Sequence, residues 1–244
     1  YLDTANLRTV TVSQGTADIA SRALDALGGT IDFVSDDPEE EARIRFQGSA
    51  GEYDAERYYV RLDTGRLANG TRAWFSASHQ SASDWVNGAA ENERDHLAAK
   101  MISEIGNTDI TAYISYDDTH EDNYQRLFSP EEFRSNPEWD RLTDIWTGIP
   151  YVDQVYRRGW STLRENLLAY VKASMELSSD VRLSVGGYYH DNEGRGDWIP
   201  PYLVDVVNDG SGPESEALGA ASVNGGGALG QIYFVDGAGT ALSP

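Results

Sequence analysis

A ladder of alternating side chains running from Ala42 to His190 constrains this chain more than any other feature. Successive residues of a strand point to opposite faces, so a period of two residues separates two surfaces. In the first strand Ala42, Ile44, Phe46 and Gly48 oppose Arg43, Arg45 and Gln47. The division recurs with Tyr58, Val60 and Leu62 against Tyr59, Arg61 and Asp63, and with Ala73, Phe75 and Ala77 against Trp74, Ser76 and Ser78. It continues with Leu97, Ala99 and Met101 against Ala98, Lys100 and Ile102, then Ile110 to Tyr116 against Thr111 to Asp117. Two more strands follow, Ala169–Glu176 and Val181–His190. A sheet that is apolar on one face must hide that face from water, beneath a second protein layer or in lipid. Sandwich cores are filled by bulky Val, Ile, Leu and Phe. Here the apolar face is rich in Ala and Gly, and Arg or Lys sits at mid-strand on the opposite face. That pattern favours lipid on one side and a wet interior on the other.

The connections add to this. Turn chemistry at Asn69-Gly70, Gly106-Asn107 and Ser178-Ser179-Asp180 predicts short connections after the second, fourth and sixth strands. Longer polar stretches follow the third, fifth and seventh. Short turns on one rim and long loops on the other characterise outer-membrane barrels. The longest insert, Asp118 to Thr162, is rich in Trp, Tyr, Asp, Glu and Pro, and everything after Asp191 reads as loop.

Ahead of the ladder, Thr9-Val10-Thr11-Val12 reads as a strand that Gln14-Gly15-Thr16 breaks. Ile19 to Leu27 holds a helical turn or two, Gly28-Gly29 permits a sharp reversal, and Ile31, Phe33 and Val34 make a second strand. Asp36-Asp37-Pro38 leads into the ladder.

Totals exclude some functions. Of the 244 residues, 40 are acidic and 19 basic, for a net charge of -21. Nucleic acid is therefore not expected as a partner, because phosphate binding needs basic patches. There is no cysteine, hence neither a disulfide framework nor a thiolate metal site. No apolar run approaches the roughly 20 residues of a membrane helix. A mean hydropathy of -0.50 is compatible with a barrel that has a polar lumen and polar loops.

The order of these elements resembles the TonB-dependent outer-membrane receptors. The motif residues are Val10-Thr11-Val12, Gly15, Leu27-Gly28-Gly29 and the strand Ile31-Asp32-Phe33-Val34-Ser35, joined to the barrel by Asp36-Asp37-Pro38. The resemblance implies an antiparallel up-and-down transmembrane β-barrel of about 22 strands with a globular α+β plug inside it. This chain would supply the C-terminal part of the plug, residues 1–38, and about seven barrel strands with their long extracellular loops, residues 39–244. Both ends look cut, so the chain reads as a fragment of a larger receptor. The implied function is TonB-energised uptake of a scarce ligand across the Gram-negative outer membrane: a siderophore, vitamin, glycan or metal chelate. Implied partners are outer-membrane lipid, the TonB complex acting on the missing start of the plug, and that small-molecule or glycan ligand. The alternative is a secreted or surface-exposed β-sheet module that binds glycans, with a dry core between two sheets.

Because an Arg at the lipid midplane costs about 2–4 kcal/mol, Arg43, Arg45, Arg61, Lys100, Lys172 and Arg182 are expected to face the lumen. Tyr58, Tyr116 and Tyr189, on the apolar face toward the loop end, fit an aromatic girdle. Ligand contact is expected on the extracellular loops at Tyr124, Trp139, Trp146, Tyr151 and Trp198, where rings interleave with carboxylates. Gly225 to Gly230 matches a dinucleotide fingerprint by letter but lacks the βαβ context. His79, His96, His120 and His190 lack ligand spacing. No nucleophile–base pair or carboxylate pair can be assembled, so neither catalysis nor a cofactor or metal is expected.

Overall fold

The computed structural model describes residues 2–15, 28–84, 90–122, 144–148 and 156–196, with single positions at 130, 134, 137 and 142. It is all-β and antiparallel. Strands β1 (Leu7–Gln14) and β2 (Gly29–Ser35) form a hairpin of their own. Seven further strands form one sheet in chain order: β3 (Ala42–Ala50), β4 (Glu56–Thr64), β5 (Arg72–Ser83), β6 (Glu91–Ile105), β7 (Thr108–Asp122), β8 (Ser161–Ser178) and β9 (Val181–Gly196). The sheet is open: β3 and β9 lie at its two edges and do not pair with each other. Among the described residues no helix is long and apolar enough to cross a membrane.

The two predicted faces are present in register. One row across the strands reads Ile44, Leu62, Phe75, Ala99, Ile114, Ala169, Tyr189. Its large members are well exposed, as are Phe46, Val60, Leu97, Val171 and Val185 on the same face. The opposite face is covered over β4 to β7. Tyr59, Arg61, Asp63, Trp74, Ser76, His96, Ala98, Lys100, Tyr113, Ser115 and Asp117 are all buried on it. Over these four strands burial is therefore inverted relative to a water-soluble sheet: the charged face is packed and the apolar face is bare.

The bare face has a sharp border at the loop end. Its outermost uncharged residues are Tyr58 on β4, Leu97 on β6, Tyr116 on β7, Leu167 on β8 and Tyr189 on β9. The next position on that face is Glu56, Asp95, Asp118, Glu165 and Asp191 respectively. Asp95, Asp118 and Glu165 are register partners, so carboxylates stand side by side on neighbouring strands, with Glu193 next on β9.

Several sequence expectations need correction. β7 runs on to Asp122 and β9 to Gly196, so Asp118–Asp122 and Asp191–Gly196 are strand rather than loop. The alternation of polarity ends at the border, where both faces turn polar, while backbone pairing continues. Asn69-Gly70 is not a two-residue hairpin; it sits within the longer connection 65–71. The two-residue turns are Gly106-Asn107 and Ser179-Asp180. The contrast between rims rests on those two turns and the long 123–160 connection. The helical segment expected at Ile19–Leu27 lies outside the described residues, apart from which Gly28 and Gly29 close the hairpin. Gly29 has φ +119°, and a Cβ there would meet the Ser13 carbonyl, so the second glycine of the motif is sterically required.

Candidate functional site

The polar face of β4 to β6 is covered by the chain's own N-terminal segment, at two places. The first is residues 3–6, a single 3-10 turn at Thr4–Asn6 capped by Asp3. The Asp3 carboxylate accepts from both the Arg57 guanidinium at 2.7 Å and the Ser78 hydroxyl at 2.5 Å. Asn6 donates to Ser76 Oγ at 2.8 Å and accepts from the Tyr59 hydroxyl at 2.7 Å. Leu2 packs toward Trp74, Ala98 and Tyr113.

The second place is the link 35–38. Four wall side chains each donate to one of its successive carbonyl oxygens. Lys100 Nζ reaches Ser35 O at 3.0 Å, and Trp74 Nε1 reaches Asp36 O at 3.0 Å. Arg61 Nη2 reaches Asp37 O at 3.1 Å, and Arg72 Nη1 reaches Pro38 O at 3.0 Å. Backbone carbonyls buried against a wall need donors, and side chains from β4, β5 and β6 supply them. The link carboxylates join in: Asp36 pairs with Arg61 at 3.3 Å, and Asp37 with Lys100 at 2.8 Å and Arg8 at 2.6 Å. Arg61 is 1% exposed, is gripped by Asp63 at 2.9 Å, and lies 4.9 Å over the Trp74 ring. The two attachments meet at the hairpin base, where Asp36 N donates to Asn6 O at 2.7 Å.

These surroundings shift the acids of the segment. Burial pushes the Asp3 carboxyl up, but the Ser78 hydroxyl, the Ala5 amide and the Arg57 guanidinium outweigh it and hold Asp3 below its ordinary value. Asp37 follows the same logic: burial raises it, and Lys100 and Arg8 together bring it below the usual carboxylate range.

Of the cations expected on the polar face, all six lie on it, by strand parity. Arg61 and Lys100 are buried under the link; Arg43 and Arg45 approach Glu39 at 3.2 and 3.8 Å. Arg182 pairs with Asp109 at 3.0 Å, and Lys172 is exposed. Of the anchors Arg57, Tyr59, Trp74, Ser76 and Ser78, the last four escape a charge-based reading because they are neutral hydrogen-bonders. The signal that marks them is a wide, polar-tipped side chain at consecutive same-face positions of β4 and β5.

At the loop end, Trp146 packs edge-on against Tyr156, with ring centroids 4.9 Å apart, and its indole nitrogen is buried. Tyr124, Trp139, Tyr151 and Trp198 lie outside the described residues. Ser161 donates to Asp122 at 2.9 Å, and His120 Nε2 approaches the same carboxylate at 2.9 Å. No cluster among the described residues has the composition of a metal site.

No protein-family model, no characterised protein and no solved structure matches this chain.

Proposed function

We propose that the seven-stranded sheet is part of the wall of an outer-membrane β-barrel and that the N-terminal segment is the end of a plug docked against its lumen side. In this reading the parent protein imports a scarce ligand, energised by TonB. The observation that carries it is the inverted burial: an uncharged apolar face left bare over seven strands while the charged face is packed over β4 to β7. Exposed to water, such a face is an aggregation liability; in lipid it is the stable arrangement.

The shape of the bare band supports the same reading. On β9 it spans Val181 to Tyr189, about 26 Å at about 3.3 Å per residue. Its outer border is not parallel to the register rows. Between β4 and β9 it falls by four residues, from Tyr58 to Tyr189. Five inter-strand steps of about 4.8 Å against a fall of about 13 Å give a slant of about 30°. A flat membrane surface crossing tilted strands produces such a slant, and barrel strands tilt by about 35–45°. The tilt reduces the 26 Å run to a height of about 23 Å, close to the roughly 25 Å apolar band of outer-membrane barrels. Tyr58, Tyr116 and Tyr189 then lie along one interface.

The native chain has no cysteine, so single cysteines report cleanly. With the full-length protein in phospholipid vesicles, an environment-sensitive label at Ala112 or Val171 should be quenched by lipid-borne quenchers. A label at Ser184, on the other face, should be quenched from water. Ala112→Arg, near mid-band, should lower insertion, at a cost of about 2–4 kcal/mol. A label at Ala112 that is quenched only from the aqueous phase sinks the reading. The import step is tested by growth on scarce nutrients with and without TonB; growth independent of TonB refutes that part.

A further inference from the structure

The N-terminal segment covers β4, β5 and β6, and its hydrogen bonds stop there; only Leu2 packs farther, against Tyr113 on β7. The polar face of β8 and β9 carries none of these clamps. It presents Arg164, Tyr170 and Lys172 from β8, and Tyr188 and Asn192 from β9, with Asn166 buried between them. Tyr188 is 81% exposed. Tyr170 stacks on Tyr113, with centroids 5.3 Å apart, and Tyr188 is its register partner on the other side. Asn192 donates its amide to Asn166.

The charge on this strip is opposite to that of the chain. Overall the molecule carries -21. On the polar face of β8 and β9 the only carboxylate is Glu176, 4.0 Å from Arg182. The neighbouring carboxylates on β7 are also engaged: Asp109 by Arg182, and Asp117 by Arg94 at 2.6 Å and His96 at 3.1 Å. Glu121 lies farther out, beyond the level of Arg164. Arg164 and Lys172, by contrast, are exposed and have no partner among the described residues. They stand about 26 Å apart along β8, with the ring and amide groups between them.

We infer that this strip is an anion-attracting track for an acidic oligosaccharide, and that the passage runs along β8–β9 rather than beneath the clamped link. The inference rests on the barrel reading above and names its ligand class. Two cations with no partner among the described residues select negative charge in a chain that otherwise repels it. The exposed Tyr188 ring offers an apolar face to a sugar ring, and the exposed Asn192 amide, held by the buried Asn166, offers its carbonyl and remaining N–H to hydroxyls. A track about 26 Å long suits an extended chain better than a compact chelate.

The test uses the full-length protein in detergent micelles and calorimetric titration with an oligouronate, a sulfated galacto-oligosaccharide, neutral maltoheptaose and a ferric tricatecholate. Either acidic sugar should bind at least tenfold more tightly than maltoheptaose, and the tighter of the two identifies carboxylate or sulfate. Affinity should fall with salt. The double variant Arg164→Gln/Lys172→Gln should lose about tenfold, and Tyr188→Ala about threefold. Both sites are exposed, and Lys172→Gln alone, losing at least threefold, serves if the double variant misfolds. Preference for the neutral sugar or the chelate, no binding of either acidic sugar, or wild-type affinity in the charge variants overturns the inference. Failure of the labelled protein to enter vesicles would instead sink the barrel reading, so the two outcomes are separable.

Discussion

Replacing Arg61 by Met tests how the polar face is held together. The guanidinium is buried, with Nε and Nη2 on Asp63 at 2.9 Å each, Nη1 on Asp36 at 3.3 Å and Nη2 also on Asp37 O at 3.1 Å. Met fills much of the same space but satisfies none of these acceptors. Asp63, whose side chain is fully buried, would keep only the Glu39 amide at 3.0 Å. Breaking one partner out of a buried pair costs about 3–5 kcal/mol, because a buried charge is left uncompensated. The lost cation–π contact with Trp74 belongs within that figure. Removing Asp63 as well takes away the stranded charge, so Arg61→Met/Asp63→Leu should recover more than half of the loss. The Glu39 amide and the Asp37 carbonyl remain unpaired in the double variant, which prevents full recovery. Urea titration in vesicles, followed by tryptophan fluorescence, measures both variants. A single variant losing less than about 1 kcal/mol, or a double variant worse than the single, would refute the argument that charge stranding dominates.

Acid should loosen the N-terminal segment before it unfolds the sheet. Asp3 and Asp37 have folded values below the ordinary carboxylate value of 3.8, so their contribution is complete above that value and is lost as pH falls through the depressed ones. Hydrogen-exchange protection at residues 3–6 and 35–37, relative to the intrinsic rate at each pH, should fall below about pH 4, and Asp3→Asn should flatten that dependence at residues 3–6. Asp118→Asn should raise stability by about 0.5 kcal/mol by relieving repulsion from its register partners Asp95 and Glu165, read as a higher urea midpoint; a lower midpoint would mean the carboxylate has a favourable role.

How far the sequence reached differs by element. The seven ladder strands were legible because burial of one surface enforces alternation, and alternation is visible in a single chain. Their extensions, Asp118–Asp122 and Asp191–Gly196, were not, because beyond the apolar border pairing is carried by backbone hydrogen bonds that leave no periodic trace. The side of the sheet occupied by Arg43, Arg45, Arg61, Lys100, Lys172 and Arg182 was readable; which of them are gripped was not. Arg61 and Lys100 disappear beneath the link while Lys172 stays open, though all three occupy equivalent mid-strand positions.

The order of residues alone determined two chemically distinct surfaces, since alternation follows from local geometry and side-chain size. The folded molecule decided which surface would be covered, by bringing Ser35 to Pro38 against donors on strands β4 to β6 that lie far away along the chain. It also set the slant of the apolar band, which depends on how neighbouring strands slide past one another. Such long-range pairings are fixed by the summed registers of many hydrogen bonds, and no short stretch of residues encodes them.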